Sequence, residues 1–154
     1  MKHFFYTGVL FFLYSCGQNN QQSTTTSEKT AQADTTSRVS LNRTNVNKQP
    51  VATYKVKTDD PLNDWYFSVK LYETPKTFYY LMQLQFEEIE GIDTLKLPNL
   101  GIEPKPVIKK GPEKYSCIIG FMDKENQFRE YKKVYVTDNR LKVTAIKHYA
   151  VTGY

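Results

Sequence analysis

Strict alternation of apolar and polar side chains is the feature that most constrains this chain. From Trp65 to Glu73 one face takes Trp65, Phe67, Val69 and Leu71, while the other takes Tyr66, Ser68, Lys70 and Tyr72. Phe78, Tyr80, Met82, Leu84 and Phe86 continue the pattern with Gln83, Gln85 and Glu87 opposite, and Tyr115, Cys117, Ile119 and Phe121 form a third stripe. Successive side chains of a strand point to opposite sides of a sheet, so each run predicts a half-buried β-strand. Residues 81 to 90 come nearest to a helical pattern, but the preceding Phe78, Tyr79 and Tyr80 favour a strand.

The turns between these runs are also legible. The polar stretch Met122 to Gln127 predicts a hairpin loop. Asp138 and Asn139 suit a two-residue turn, because both tolerate positive φ. That turn sets Val136 opposite Leu141, Val134 opposite Val143 and Glu130 opposite Lys147. Shorter candidate strands are Ala52 to Lys57, Thr94 to Leu97 and Lys105 to Lys109, bounded by prolines. Seven or eight short antiparallel strands predict an all-β fold, a β-sandwich over residues 51–154. Its expected core is Trp65, Phe67, Val69, Leu71, Phe78, Tyr80, Met82, Leu84, Phe86, Cys117, Ile119, Phe121, Val134, Val136, Leu141 and Val143.

The first residues have different physics. Lys2 precedes an apolar run from Phe4 to Tyr14, too short for the ~20 residues of a membrane-spanning helix but suited to a secretory signal. Leu13-Tyr14-Ser15-Cys16 resembles the lipobox of bacterial lipoproteins, with an aliphatic residue, a small residue and then cysteine. The resemblance implies a signal peptide at 1–15, cleavage before Cys16 and acylation of its thiol. The lipid bilayer is then a partner through Cys16, because several acyl chains hold a protein far more firmly than one. Gly17, Gln18 and Asn19 follow, with no Asp and no acidic cluster. By similarity to lipoprotein sorting signals, this implies the outer membrane, facing the periplasm.

From Gly17 to Pro50 the chain is rich in Gln, Asn, Ser and Thr, with Ala31, Ala33, Val39, Leu41 and Val46 as its apolar residues. So few apolar side chains do not offset the entropy of ordering a backbone, and residues 16–50 read as a lipidated Cys and a flexible tether. As a random coil the tether would span on the order of 30 Å. The division also disposes of the formal charge of +5, which on its own would suggest a nucleic-acid partner. Lys2 leaves with the signal, and Lys29, Arg38, Arg43 and Lys48 outnumber Glu28 and Asp34 in the tether. The domain carries 16 basic and 14 acidic residues, and although Tyr131 to Tyr135 and Lys105 to Lys114 together mix cations with aromatics, export makes nucleic acid an unexpected partner.

Chemistry-bearing residues are sparse. His148 and Cys117 are the histidine and the cysteine that remain in the domain. Cys117 lies on an apolar stripe and reads as a small buried hydrophobe, and His148 as a strand residue near Arg129. Asp59, Asp60, Asn63 and Asp64 around Pro61 lack the spacing of an EF-hand loop and read as turn formers. Glu87, Glu88, Glu90 and Asp93 read as a solvated strand exit rather than a glycosidase pair. No catalytic residue, metal site or cofactor is therefore expected, and the protein is not expected to be an enzyme. Tyr66, Tyr72, Tyr131, Lys133 and Tyr135 face away from the main apolar stripes and are the expected interaction surface.

The layout looks like that of lipoproteins serving secretion or envelope maintenance, the transthyretin-like ones included. It implies an accessory component of an envelope assembly that binds a protein. An immunity-type inhibitor of an envelope-targeting toxin shares the layout and would form a tight complex with one partner. A murein- or glycan-directed enzyme or carrier would instead need a closed pocket joining Cys117, His148 or the acidic loops.

Overall fold

In the computed structural model, which describes residues 39–149, the alternating runs become eight antiparallel strands, and no helix occurs among the described residues. They are β1 (Ala52–Lys57), β2 (Tyr66–Glu73), β3 (Tyr79–Phe86), β4 (Ile89–Lys96), β5 (Lys105–Lys110), β6 (Ser116–Met122), β7 (Phe128–Thr137) and β8 (Arg140–Ala145). Each set of four is a meander in sequence order, one sheet β1-β2-β3-β4 and the other β5-β6-β7-β8. β1 approaches β5, and β8 approaches β3 and β4, so the two sheets lie face to face. The fold is a β-sandwich of two four-stranded sheets.

One apolar layer fills the space between the sheets. Phe67, Val69 and Leu71 from β2 and Tyr80, Met82, Leu84 and Phe86 from β3 meet Cys117, Ile119 and Phe121 from β6 and Val134 from β7. A fully buried aliphatic or aromatic side chain contributes roughly 1.5–3 kcal/mol, so this layer outweighs any surface ion pair. Leu95 and Leu97 join it from the end of the first sheet. Phe78 is buried as expected, whereas Trp65 is not a strand residue. It precedes β2, half-buried, and its carbonyl accepts a hydrogen bond from Thr58 N at 2.9 Å that closes the β1–β2 loop. Val136, Leu141 and Val143 are half-buried rather than core, because β8 ends the sheet and leaves one flank uncovered.

The β7–β8 hairpin has the expected register. Val136 pairs with Leu141 and Val134 with Val143, and Asp138 and Asn139 take φ of 49° and 54°. Strand pairing stops at Lys132 and Ala145, yet Lys147 Nζ still lies 3.7 Å from Glu130 Oε2. In the β6–β7 loop Asp123 Oδ1 accepts from Glu125 N and Gln127 N, at 2.9 and 2.8 Å. β4 starts at Ile89, five residues before the expected Thr94, because Glu87 and Glu88 make a two-residue turn with Glu87 at φ 54°. Neither residue is a usual left-handed turn former, so composition does not reveal the turn.

A β-bulge breaks the alternation in β7. Ile119 pairs with Lys132 but Gly120 pairs with Glu130, leaving Tyr131 as an extra residue. Gly120 is required there: a Cβ would stand 2.2 Å from the Arg129 carbonyl oxygen and 2.5 Å from the Phe128 ring. Phe128 therefore fills the place of the missing side chain on the outer face.

The folded region begins upstream of Val51, inside the stretch assigned to the tether. Asn42 forms a β-bridge with Lys76, Arg43 N donates to Pro75 O at 2.8 Å, and Thr77 N donates to Leu41 O at 3.0 Å. The Arg43 side chain is only 5% exposed. Its Nη1 donates to the carbonyls of Thr74 and Lys76 at 2.8 and 2.7 Å, and Nη2 to that of Thr77. The guanidinium carbon lies 4.8 Å from the centre of the Tyr80 ring, and Glu73 Oε1 stands 3.4 Å from Nε as counter-charge. An arginine fan thus latches this strap into the β2–β3 turn, an attachment that counting apolar residues does not register.

Arg43→Ala strands several carbonyls and Glu73, and we expect a loss of about 3 kcal/mol in urea unfolding. It should also open new protease sites between residues 39 and 50, whereas Arg43→Lys, with a point charge in place of a fork, should recover only part of the stability. Unchanged stability and digestion in Arg43→Ala would refute the latch. For Gly120→Ala the same measurement should show a loss of about 1–3 kcal/mol from crowding at the bulge.

Candidate functional site

The expected interaction residues divide between opposite sides of the sandwich. Tyr66 and Tyr72 lie on the outer face of the first sheet, across from the buried Phe67, Val69 and Leu71. Tyr66 is fixed: its hydroxyl donates to Asp64 Oδ2 at 2.9 Å, and Lys55 Nζ lies 3.4 Å from its ring centre. Lys57 pairs with the same carboxylate at 3.0 Å, and these bonds hold Asp64 below the usual carboxylate range. Beside them Ser68, Lys70, Gln83, Gln85 and Glu90 line a polar recess of about 260 Å³.

Lys133 and Tyr135 lie on the outer face of the second sheet. Lys133 Nζ lies 4.8 Å from the Tyr135 ring centre and forms an ion pair with Glu113. On the same face Lys109 Nζ caps the Phe128 ring at 4.1 Å. Tyr131 does not belong there. The bulge shifts its phase and turns it to the core side, where its ring meets Phe121 at 6.2 Å and Tyr149 at 6.1 Å. The five residues therefore form no single surface. Cys16, the expected lipidation site, lies outside the described residues.

The largely apolar recess was not foreseen from sequence. A groove of about 450 Å³ opens where the strap crosses the end of the first sheet. Phe78 and Leu97 are buried at its base, Leu41 stands 63% exposed on the wall, and Tyr79 lies between Lys76 and Lys96. Both ammonium groups sit over the Tyr79 ring, 5.3 and 5.6 Å from its centre. Size and lining fit the general form of a ligand site, apolar walls with a few placed polar groups. Its residues come from three separate stretches that only the strap and the β3–β4 pairing bring together.

The candidate reactive groups lie in different settings. Cys117 is fully buried, and burial pushes its thiol up to about 12, against an ordinary 9.0. His148 is exposed beyond β8. Asp60 Oδ1 accepts from Leu62 N at 2.7 Å and Asn63 N at 2.9 Å, so this carboxylate shapes the β1–β2 loop. Glu87 and Glu88 occupy the β3–β4 turn, while Glu90 and Asp93 fall on opposite faces of β4. Among the described residues no group of three or more His, Cys, Asp or Glu is placed to hold a metal ion. No family model matches the chain, and no curated protein or solved structure matches it either.

Burial raises Tyr80 as well, from 10.0 to about 12. Between the ordinary values and about 12 the folded state keeps protons on Cys117 and Tyr80 that the unfolded chain releases. The stability they support is complete below about pH 9 and should fall as pH rises towards about 12. Urea titrations across that range check the direction. At pH 8 iodoacetamide should label Cys117 only in the unfolded protein, and rapid labelling of the native chain would contradict its burial.

Proposed function

We propose that this chain is a lipid-anchored envelope protein, held in the outer membrane through acylated Cys16 and facing the periplasm. Its β-sandwich acts by binding, as an accessory component of an envelope or secretion assembly. The observation that carries this reading is the Leu13 to Cys16 run, set directly behind an apolar stretch with a basic start. The polar residues after Cys16 support it, because they would let the domain move relative to its point of attachment.

Binding rather than catalysis is supported by where the reactive groups sit. A thiol kept neutral in the core is a poor nucleophile, and Cys117 is buried whereas His148 is exposed. For a protein partner, the outer face of the second sheet is the better supported of the two sheet faces. There Lys109 over Phe128 and Lys133 over Tyr135 hold two aromatic rings in place, against Tyr66 alone of the two candidate tyrosines on the first sheet, which lowers the entropy lost on contact.

The anchor is tested by Cys16→Ala. The variant should be left uncut or soluble, where the natural chain fractionates with membranes and carries the mass of an acylated N-terminal cysteine. A variant that is cut normally and still fractionates with membranes would overturn the lipoprotein reading. The contact face is tested by placing a photo-crosslinking residue at Tyr135 or at Tyr72 in cells. Tyr135 should give a discrete adduct that is lost in Phe128→Ala, and adducts from Tyr72 alone would move the contact to the first sheet.

A further inference from the structure

The groove beneath the strap has features that a protein–protein patch does not require. Its base is apolar, Leu41 projects from its wall, and its charged lining residues are Lys76 and Lys96, with no acidic residue among the described residues that line it. Both lysines are exposed and both place their ammonium groups over one tyrosine ring, a setting in which long stems can cover apolar surface while the charges stay in water. Apolar area edged by tyrosine and lysine matches a bilayer interface, where the ring sits at headgroup level and the cations meet lipid phosphate.

Chain connectivity points to the same occupant. The wall residues Leu41 and Asn42 belong to the part of the described chain nearest in sequence to Cys16. Residues 17–38 lie between, and 22 residues would span roughly 25 Å if they behaved as the coil their composition predicts. That span is about twice the ~13 Å radius of gyration expected for a domain this size, so an anchored domain can bring the groove to the surface. Lysine attraction to anionic lipid fades within a Debye length of about 10 Å, so the apolar wall must come close for both terms to act.

We propose that this groove is a second membrane contact, one that docks on the headgroup layer of anionic phospholipid and sets which end of the sandwich faces the bilayer. It rests on the lipid-anchor reading above, and it adds to that reading an orientation and a lipid preference.

The test uses the natural full-length chain, purified from membranes and reconstituted into two kinds of vesicle. One is phosphatidylcholine alone, and in the other phosphatidylglycerol replaces part of it. Acetylation of lysines is followed by mass spectrometry, with Lys142 on the outer face of the second sheet as the internal control. Anionic vesicles should slow Lys76 and Lys96 by about fivefold relative to phosphatidylcholine, and leave Lys142 unchanged. A Tyr79→Trp variant should report the same contact as a blue-shifted emission on anionic vesicles, and Lys76→Glu with Lys96→Glu should abolish that shift while the protein still floats with the vesicles. If the chain floats but Lys76 and Lys96 react alike on both lipids, or Lys142 slows equally, the groove does not dock and the anchor stands. A chain that floats with neither vesicle overturns the anchor and this proposal together. Slowing without vesicles that grows with protein concentration would assign the groove to a second copy of the chain and refute a lipid contact.

Discussion

Closure of two meanders over one shared apolar layer is the constraint on which everything else in this molecule depends. Each sheet is built from sequence-local hairpins and has one apolar face, so neither sheet can leave water without the other. The bulk of the layer comes from the inner strands β2, β3 and β6, with Val134 from β7, and the edge strands mostly frame it. This explains why the outer faces tolerate so many lysines and tyrosines. Their identity is free of the core, provided the inner phase of each strand is kept.

Edges of such a sandwich are exposed to pairing with other chains, and the sequence blunts them in different ways. β1 carries Lys55 and Lys57, and β5 holds Pro106, which lacks a donor and fits an edge strand. On β4, Asp93 shares a strand face with the buried Leu95 but remains exposed, a charge set where a neighbouring strand would have to bury it. The Arg43 strap protects in another way. It covers the β2–β3 turn and satisfies carbonyls there with a cation, where a longer strand would need further backbone partners.

Much of the architecture was legible because it follows from phase. The inner stripes of β2, β3 and β6 and the Asp138-Asn139 turn are each decided by a few neighbouring residues, and their register follows. What escaped depends on interactions between distant stretches. The phase slip at Tyr131 is set by Gly120 on the opposite strand, a glycine that no local pattern in β7 reveals. Arg43 looks like any tether cation until Thr74, Lys76 and Thr77 present their carbonyls to it. The groove was invisible for the same reason, since Leu41, Tyr79 and Leu97 are far apart in sequence and meet only after the strap is latched.

That dependence gives the strap two roles that cannot be separated by composition. It fixes residues 39–50 to the sandwich, so they add no free length ahead of β1. It also supplies Leu41 as a wall of the groove, so the segment latched by Arg43 is the segment that completes the apolar recess. A tether joined at an arbitrary loop would let every face of the sandwich sample the bilayer equally. Under the anchor proposed above, a chain that enters the sandwich at a buried arginine beside an apolar, lysine-edged groove would bias which end approaches the bilayer first, and would leave the Phe128 and Tyr135 face of the second sheet free for another contact.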